Sequence, residues 1–396
     1  MEEINSNRLI ECVAKENYDN FCQAVLKTSR ARKDKKIVIF GAGILGLQFC
    51  YTLKSLGIQE FVFCDNDSKK WEKKVGDKLV ISPKELVDNQ DEYFVFLAIE
   101  NYFSCMQQLE QMGYTEGKEW YNLTNCSERK LIKHFSEDCD ADTLILGDCT
   151  SVNISVTDEM KKSIADLLYQ KNKVKVLGMN GIYMRLYYNI FLMNLCKMSS
   201  LKKTLILLDL SIFYGKYHLF SKNQHVEVVK ALQNISEIDT EEAKEFAEIV
   251  ENRSENSIID IGTSPNREDN LSEQRIEQER RIHMKLNYLY RLQEDSESIQ
   301  YLDKMIEKCV REEIENIYVI MPVNYEMGEQ YFGDVFYQKY EAIRDIVIKH
   351  IAERKGKTLD LSYVLKKDDF ICLRSTNEGI REQGRKKIVT LIQEIL

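Results

Sequence analysis

Gly147-Asp148-Cys149 places a flexible turn, a carboxylate and a thiol directly after the apolar run Leu144-Ile-Leu146. A short apolar run closed by a polar turn is the pattern of a buried strand that delivers a side chain to a sheet edge. A thiol presented there can attack an acyl carbon. Part of a cysteine is already thiolate at neutral pH, so it depends less on a neighbouring base than a serine hydroxyl does. Two plainer readings stand beside this one. Asp148 can cap the turn through its side chain, and a buried cysteine is as often a small apolar residue as a nucleophile.

A second constellation lies nearer the N-terminus. Lys36-Ile-Val-Ile-Phe40 runs into Gly41-Ala-Gly-Ile-Leu-Gly46, then a helical pattern from Leu47 to Leu56, then Phe61-Val-Phe-Cys64 and Asp65. Strand, glycine turn, helix, strand and acid form the order of a dinucleotide-type site. Gly41 permits the tight turn, Gly43 lets a pyrophosphate approach the backbone, and Gly46 lets helix and strand pack closely. The helix start offers N–H groups to phosphate, and Asp65 can accept ribose hydroxyls. The competing reading is a glycine turn that only packs helix on strand.

These motifs sit in a chain of 396 residues with net charge −9, long enough for two cores. The acidic balance argues against nonspecific binding to nucleic acid or an anionic membrane. No apolar run reaches the length of a membrane span, and the acidic start lacks a signal core. The 11 cysteines are scattered without CxxC pairs, which points to free thiols in a reducing cytoplasm. His134, His218, His225, His283 and His350 form no ligand pair at helical or finger spacing, so no metal site is expected.

Strands alternating with helices predict an α/β fold with mainly parallel sheets. Residues 1–34 read as a helical segment, 35–125 as a Rossmann-like nucleotide-binding domain, 126–142 as a linker and 143–396 as a second α/β domain. Residues 222–312 are a charged helical insertion, read either as a solvated helix face or as a lid or oligomer contact.

Two resemblances add to this reading. The glycine turn, Asp65-Asn-Asp67 and Ser82-Pro-Lys-Glu-Leu86 resemble small Rossmann-like domains attached to sugar-modifying and surface-polysaccharide enzymes. That resemblance implies a nucleotide or nucleotide-sugar pocket at Gly41, Gly43, Gly46 and Asp65, not hydride transfer; NAD(P) is the ligand of an alternative, oxidoreductase reading of the same residues. From residue 143 onward the chain resembles the SGNH (GDSL-like) hydrolases, a flavodoxin-like three-layer α/β superfamily. Gly147-Asp148-Cys149 matches the nucleophile turn, with cysteine where serine is usual. Gly181, or Gly178, matches the oxyanion glycine after the second strand. Asp209-Leu-Ser211 lacks the expected Gly-x-Asn. Pro322-Val-Asn324-Tyr325 is similar to the branch linked to cell-surface acyl modification. Ser375-Thr-Asn-Glu378-Gly379 followed by Gly384-Arg385 matches the ending that supplies acid and histidine, with Gly379 at the histidine position.

The resemblance implies an acyl hydrolase or acyltransferase acting on a sugar- or carrier-linked acyl group. Cys149 would be the nucleophile, with Asp148 beside it in the turn. Gly181 and the Cys149 N–H would form the oxyanion hole, Asn324 would orient substrate, and Glu378 would serve as acid/base. The alternatives are a catalytically degenerate binding protein and an NAD-dependent oxidoreductase. The sequence carries no statement of oligomeric state.

Overall fold

The structure, a computed structural model, describes residues 12–13, 17–99, 103–122, 139–152, 159–160, 162–170, 173–179, 182–214, 273–370 and 379–396. Its first elements are a two-residue strand, β1 (Cys12–Val13), and helix α1 (Asn17–Ala31). Helical spacing is expected throughout residues 1–34, yet Cys12–Val13 is extended and pairs antiparallel with Leu177 and Gly178.

A first sheet follows. Its elements are β2 (Lys36–Phe40), α2 (Ile44–Ser55), β3 (Phe61–Cys64), β4 (Lys74–Val75), β5 (Lys78–Ile81), α3 (Pro83–Asp88), β6 (Tyr93–Leu97), α4 (Phe103–Gln111) and β7 (Trp120–Asn122). The strand order is β4-β5-β3-β2-β6-β7. Every pairing is parallel except the β4–β5 hairpin. That hairpin turns at Gly76 and Asp77, with φ of 54° and 72°. Two positive φ values give the turn whose twist matches the flanking strands. β6 is buried along its length, as a parallel strand covered on both faces must be.

The chain reverses its direction of winding between β2 and β6, and such a switch point opens the crevice where α/β sheets take ligands. Here the glycines are spatial necessities. Gly41 has φ of 114°, and a Cβ on it would lie 2.4 Å from Ile99 Cγ1. A Cβ on Gly46 would lie 1.8 Å from the Gly41 carbonyl oxygen.

The second sheet is built from β8 (Thr143–Gly147), α5 (Cys149–Val152), α6 (Ile164–Leu168), β9 (Val174–Gly178), α7 (Met184–Lys197) and β10 (Lys203–Leu208). After residue 272 come α8 (Glu273–Tyr288), α9 (Glu297–Arg311), β11 (Glu315–Ile320), α10 (Tyr325–Phe332), α11 (Asp334–Glu353), β12 (Lys357–Asp360) and α12 (Glu382–Gln393). The order is β1-β9-β8-β10-β11-β12, with β8 to β12 parallel. Alternate strand residues face opposite layers. Leu144, Leu146, Ile206, Tyr318 and Ile320 pack with α7, α9 and α11. Ile145, Val176, Leu205 and Val319 pack with α6 and α12. The result is helix layers on both faces of a mainly parallel sheet, the expected α/β class. Among the described residues no helix is long and apolar enough to cross a membrane.

Gly46→Ala tests the packing of the first sheet, because the new methyl meets backbone that cannot rotate away. We expect a loss of about 1–3 kcal/mol, read as a lower urea midpoint at unchanged m-value. An unchanged midpoint would show that α2 can shift to accommodate a side chain.

Candidate functional site

In the second sheet β8 is the first strand, β9 lies on one side of it and β10 on the other. The switch point is therefore between β8 and β10, and Asp148, Cys149 and Asp209 follow the ends of those two strands. Cys149 opens α5 and is half-buried and outside any disulfide. Asp148 is only 3% exposed. Its Oδ1 accepts the Thr150 N–H at 3.0 Å and the Thr150 hydroxyl at 2.6 Å. Its carbonyl accepts the Ser151 hydroxyl at 2.7 Å. The capping reading of Asp148 is thus realised, and it fixes the turn that carries the thiol.

Two glycines let α5 sit this close. Gly147 and Gly178 are register partners on β8 and β9. A Cβ on Gly147 would lie 2.1 Å from Ser151 Oγ, and one on Gly178 would lie 2.4 Å from Val152 Cγ1. Gly178 is therefore the glycine that admits the turn carrying Cys149. Gly181 and Glu378 lie outside the described residues. Gly379 is buried at the start of the C-terminal segment.

Asp209 was legible only as the place where Gly-x-Asn is missing. In the fold it is a buried acid whose Oδ1 accepts the Ser211 N–H at 2.8 Å. The Tyr288 hydroxyl, from the end of α8, donates toward Asp209 Oδ2 at 2.8 Å and Oδ1 at 3.1 Å. Tyr290 donates to the Leu210 carbonyl at 2.7 Å. The end of α8 thus docks beside the exit of β10. No pattern in the sequence signals this, because the contact spans 79 residues. Burial, then the charges of Asp148, Cys149 and Asp209, keeps the Tyr187 phenol protonated far above its usual range. Tyr187 spends its proton on the Leu207 carbonyl at 3.0 Å.

Burial, and after it the negative charge of Asp209, pushes the Asp148 carboxyl up to about 7. The Thr150 bonds oppose that rise without cancelling it. Two buried acids at one switch point cannot both ionise cheaply.

Asn324 sits at the end of β11 and is 1% exposed. Its Oδ1 accepts the Met327 N–H at 3.2 Å and caps α10. The acid after β12 behaves likewise. Asp360 Oδ1 accepts the Ser362 N–H at 2.9 Å and its hydroxyl at 2.5 Å, and Tyr340 donates to Ser362 Oγ at 3.1 Å. Arg385, of the Gly384-Arg385 pair, is fully buried and donates from Nε to the Lys162 carbonyl at 3.0 Å. It ties α12 to the segment before α6.

Of the two described histidines, His350 lies away from Cys149. His350 lies in the last turn of α11, which starts near the exit of β11 and returns to the entry of β12, so it sits at the opposite sheet edge. There its Nδ1 is 3.0 Å from Asp303 Oδ1. His283 lies on α8 with Nε2 2.9 Å from Asn287 Nδ2. The other three lie outside the described residues. Among the described residues no group of three His, Cys, Asp or Glu side chains is arranged to hold a metal ion.

In the first sheet, the four expected ligand residues come together. Asp65 Oδ2 accepts the Ala42 N–H at 2.8 Å and the Lys70 ammonium at 3.0 Å, and Oδ1 accepts the Asp67 N–H at 2.9 Å. Gly43 precedes α2 without a side-chain cap. The acid that could hold a ribose therefore also stitches the glycine turn to β3. A scan of protein-family models and a search of curated proteins found no match to this chain.

Two measurements follow from this geometry. Asp148 has a folded-state affinity for protons above that of an unfolded carboxyl, so its share of stability is complete at low pH and is lost as pH rises through about 7. The urea midpoint of the wild type should fall more between pH 5 and pH 8 than that of Asp148→Asn, which keeps an oxygen for Thr150. Equal slopes would remove the buried acid pair as the cause. His350→Ala should lower stability by about 1–3 kcal/mol while leaving the rate of Cys149 alkylation unchanged. A slower alkylation would return His350 to the site.

Proposed function

We propose that the chain is a cysteine-dependent acyl hydrolase or acyltransferase of SGNH-like build, carrying a Rossmann-like domain for a nucleotide or nucleotide sugar. The observation that carries the reading is the position of Cys149. It is a half-buried thiol at the first position of α5, beside the β8/β10 switch point of a parallel sheet in second-first-third-fourth-fifth order. That order belongs to flavodoxin-like folds, whose ligands sit outside the carboxyl ends of the strands at this point.

In the proposed reaction the Cys149 thiolate adds to the acyl carbonyl, and the alcohol of a sugar or carrier leaves with a proton. The resulting thioester is then opened by water, or by an acceptor hydroxyl, and the thiol is restored. The Cys149 N–H and the turn after β9, including Gly181, receive the oxyanion. Glu378 is the proposed proton carrier. A missing general base costs about 10²–10⁴-fold, and a thiolate partly offsets this because it needs no deprotonation during attack. The acylated substrate is placed in the crevice beside Asp209 and Tyr288.

The first sheet supports the nucleotide reading through its order. Counted from β2, the parallel strands run third-second-first-fourth-fifth, with the glycine turn at the switch point. The residues present fit a pyrophosphate, since Gly41 and Gly46 leave no side chain over the turn and α2 begins without a side-chain cap. A bound nucleotide would supply the activated sugar or a recognition handle. Gly41, Gly43 and Gly46 would approach its phosphates and Asp65 its ribose.

One observation favours the binding-protein alternative. The side chains of Asp148 and Asn324 are already engaged as caps. Intact-mass spectrometry after incubation with p-nitrophenyl acetate separates the two readings. The enzyme reading expects a single acetyl adduct that Cys149→Ala removes and that decays with time. Absence of an adduct and of p-nitrophenol release leaves the binding-protein reading.

A further inference from the structure

We propose that Trp71 is the base-stacking platform, and Lys69, Lys70, Lys73 and Lys74 the cationic rim, of a nucleoside diphosphate site at the exit of β3. The inference rests on the nucleotide reading of the first domain and adds to it the side of the site that would recognise the base.

The chain has 2 tryptophans. Trp120 is fully buried on β7, whereas Trp71 leaves 37% of its surface open. A large aromatic on the surface is held there by something specific. The Trp71 Nε1–H donates to the Asp65 carbonyl at 2.7 Å, so one edge of the indole is pinned at the strand end while surface remains open. The chain turns sharply just after it, because Glu72 has φ of 61°. Glu72 N–H then bonds the Val80 carbonyl at 2.9 Å, and the Val80 N–H bonds the Lys73 carbonyl at 2.9 Å. The platform is therefore braced from behind by β5.

Asp65 is where the parts meet. Its carbonyl holds Trp71, and its carboxylate holds both the Ala42 N–H of the glycine turn and the Lys70 ammonium. A ribose beside Asp65 would thus have the glycine turn on one side and the indole on the other. Its diphosphate would face the turn and Lys70. Lys69, Lys73 and Lys74 are exposed and enter no ion pair among the described residues. Lys69, Lys70, Lys73 and Lys74 lie within six residues that hold one acid, Glu72, so in a chain of net charge −9 this rim is locally cationic and suits an anion. The exposed part of the Trp71 indole would suit a flat, π-bearing group, and base–aromatic stacking tolerates any base.

The test uses the full chain, with uridine and adenosine diphosphates as probes and inorganic pyrophosphate as the base-free control. Because Trp120 is buried, fluorescence quenching reads Trp71 directly. Both nucleotides should quench emission and pyrophosphate should not. By calorimetry, Trp71→Phe should bind within a few-fold of wild type, and Trp71→Leu should bind roughly ten- to hundred-fold more weakly. Wild-type affinity in Trp71→Leu, with circular dichroism unchanged, overturns the platform and leaves the glycine-turn reading standing. No nucleotide binding by the wild type overturns both.

Discussion

At five exits of the parallel strands a short acid or amide side chain satisfies the backbone as the chain turns. Asp65, Asp148, Asp209 and Asp360 each accept an N–H two residues on, and Asn324 accepts one three residues on. A strand end that enters a sheltered turn cannot rely on water for those donors. The rest of the candidate chemistry depends on this device. It sets the angle at which Cys149 leaves β8, and it places a second acid, Asp209, within electrostatic reach of Asp148. The same side chains are those a reader of the sequence assigns to ligands. Capping and ligand binding therefore draw on one set of oxygens, and a substrate must either accept the turn as built or displace a bond within it.

What could be read in advance follows from locality. The apolar runs of β2, β3, β8 and β10 declare themselves because a buried parallel strand has no polar alternative. The glycines of the first sheet are legible because their spacing ties a turn to a helix. Cys149 at the end of β8 is legible because the strand and the turn adjoin. Tyr288 on Asp209 is not, since neither residue's neighbourhood refers to the other. Nor was Cys12–Val13 legible as a strand, because two residues carry no period and their partner strand, β9, lies far along the chain. The capping of Asp148 stood as an open alternative, and hydrogen-bond geometry alone distinguishes it from substrate contact. For Glu378 the fold adds nothing, because that residue lies outside those described.

Electrostatics and packing pull in opposite directions at the β8/β10 switch point. Packing wants α5 pressed onto the two glycine-ended strands, which buries Asp148. Burial makes its charge costly, and Asp209 makes it costlier. Tyr288 and Tyr187 add phenols whose protons are committed to a carboxylate and a carbonyl. The compromise is a buried polar cluster at the strand ends, an environment in which a nearby change of charge is strongly felt.

The strand at Cys12–Val13 has a consequence in time. As the chain leaves the ribosome, the first sheet can complete itself while β9 has yet to be made, and the N-terminal segment must wait unpaired until Gly178 appears. Its pairing is the longest in sequence separation among the described strand pairs, so it carries a larger loop-closure cost than its neighbours in the sheet. Until then β9 presents an open edge to any extended segment nearby. The order of synthesis thus lets Cys12–Val13 join that sheet only once β9 has been made, while β10, β11 and β12 are still to come.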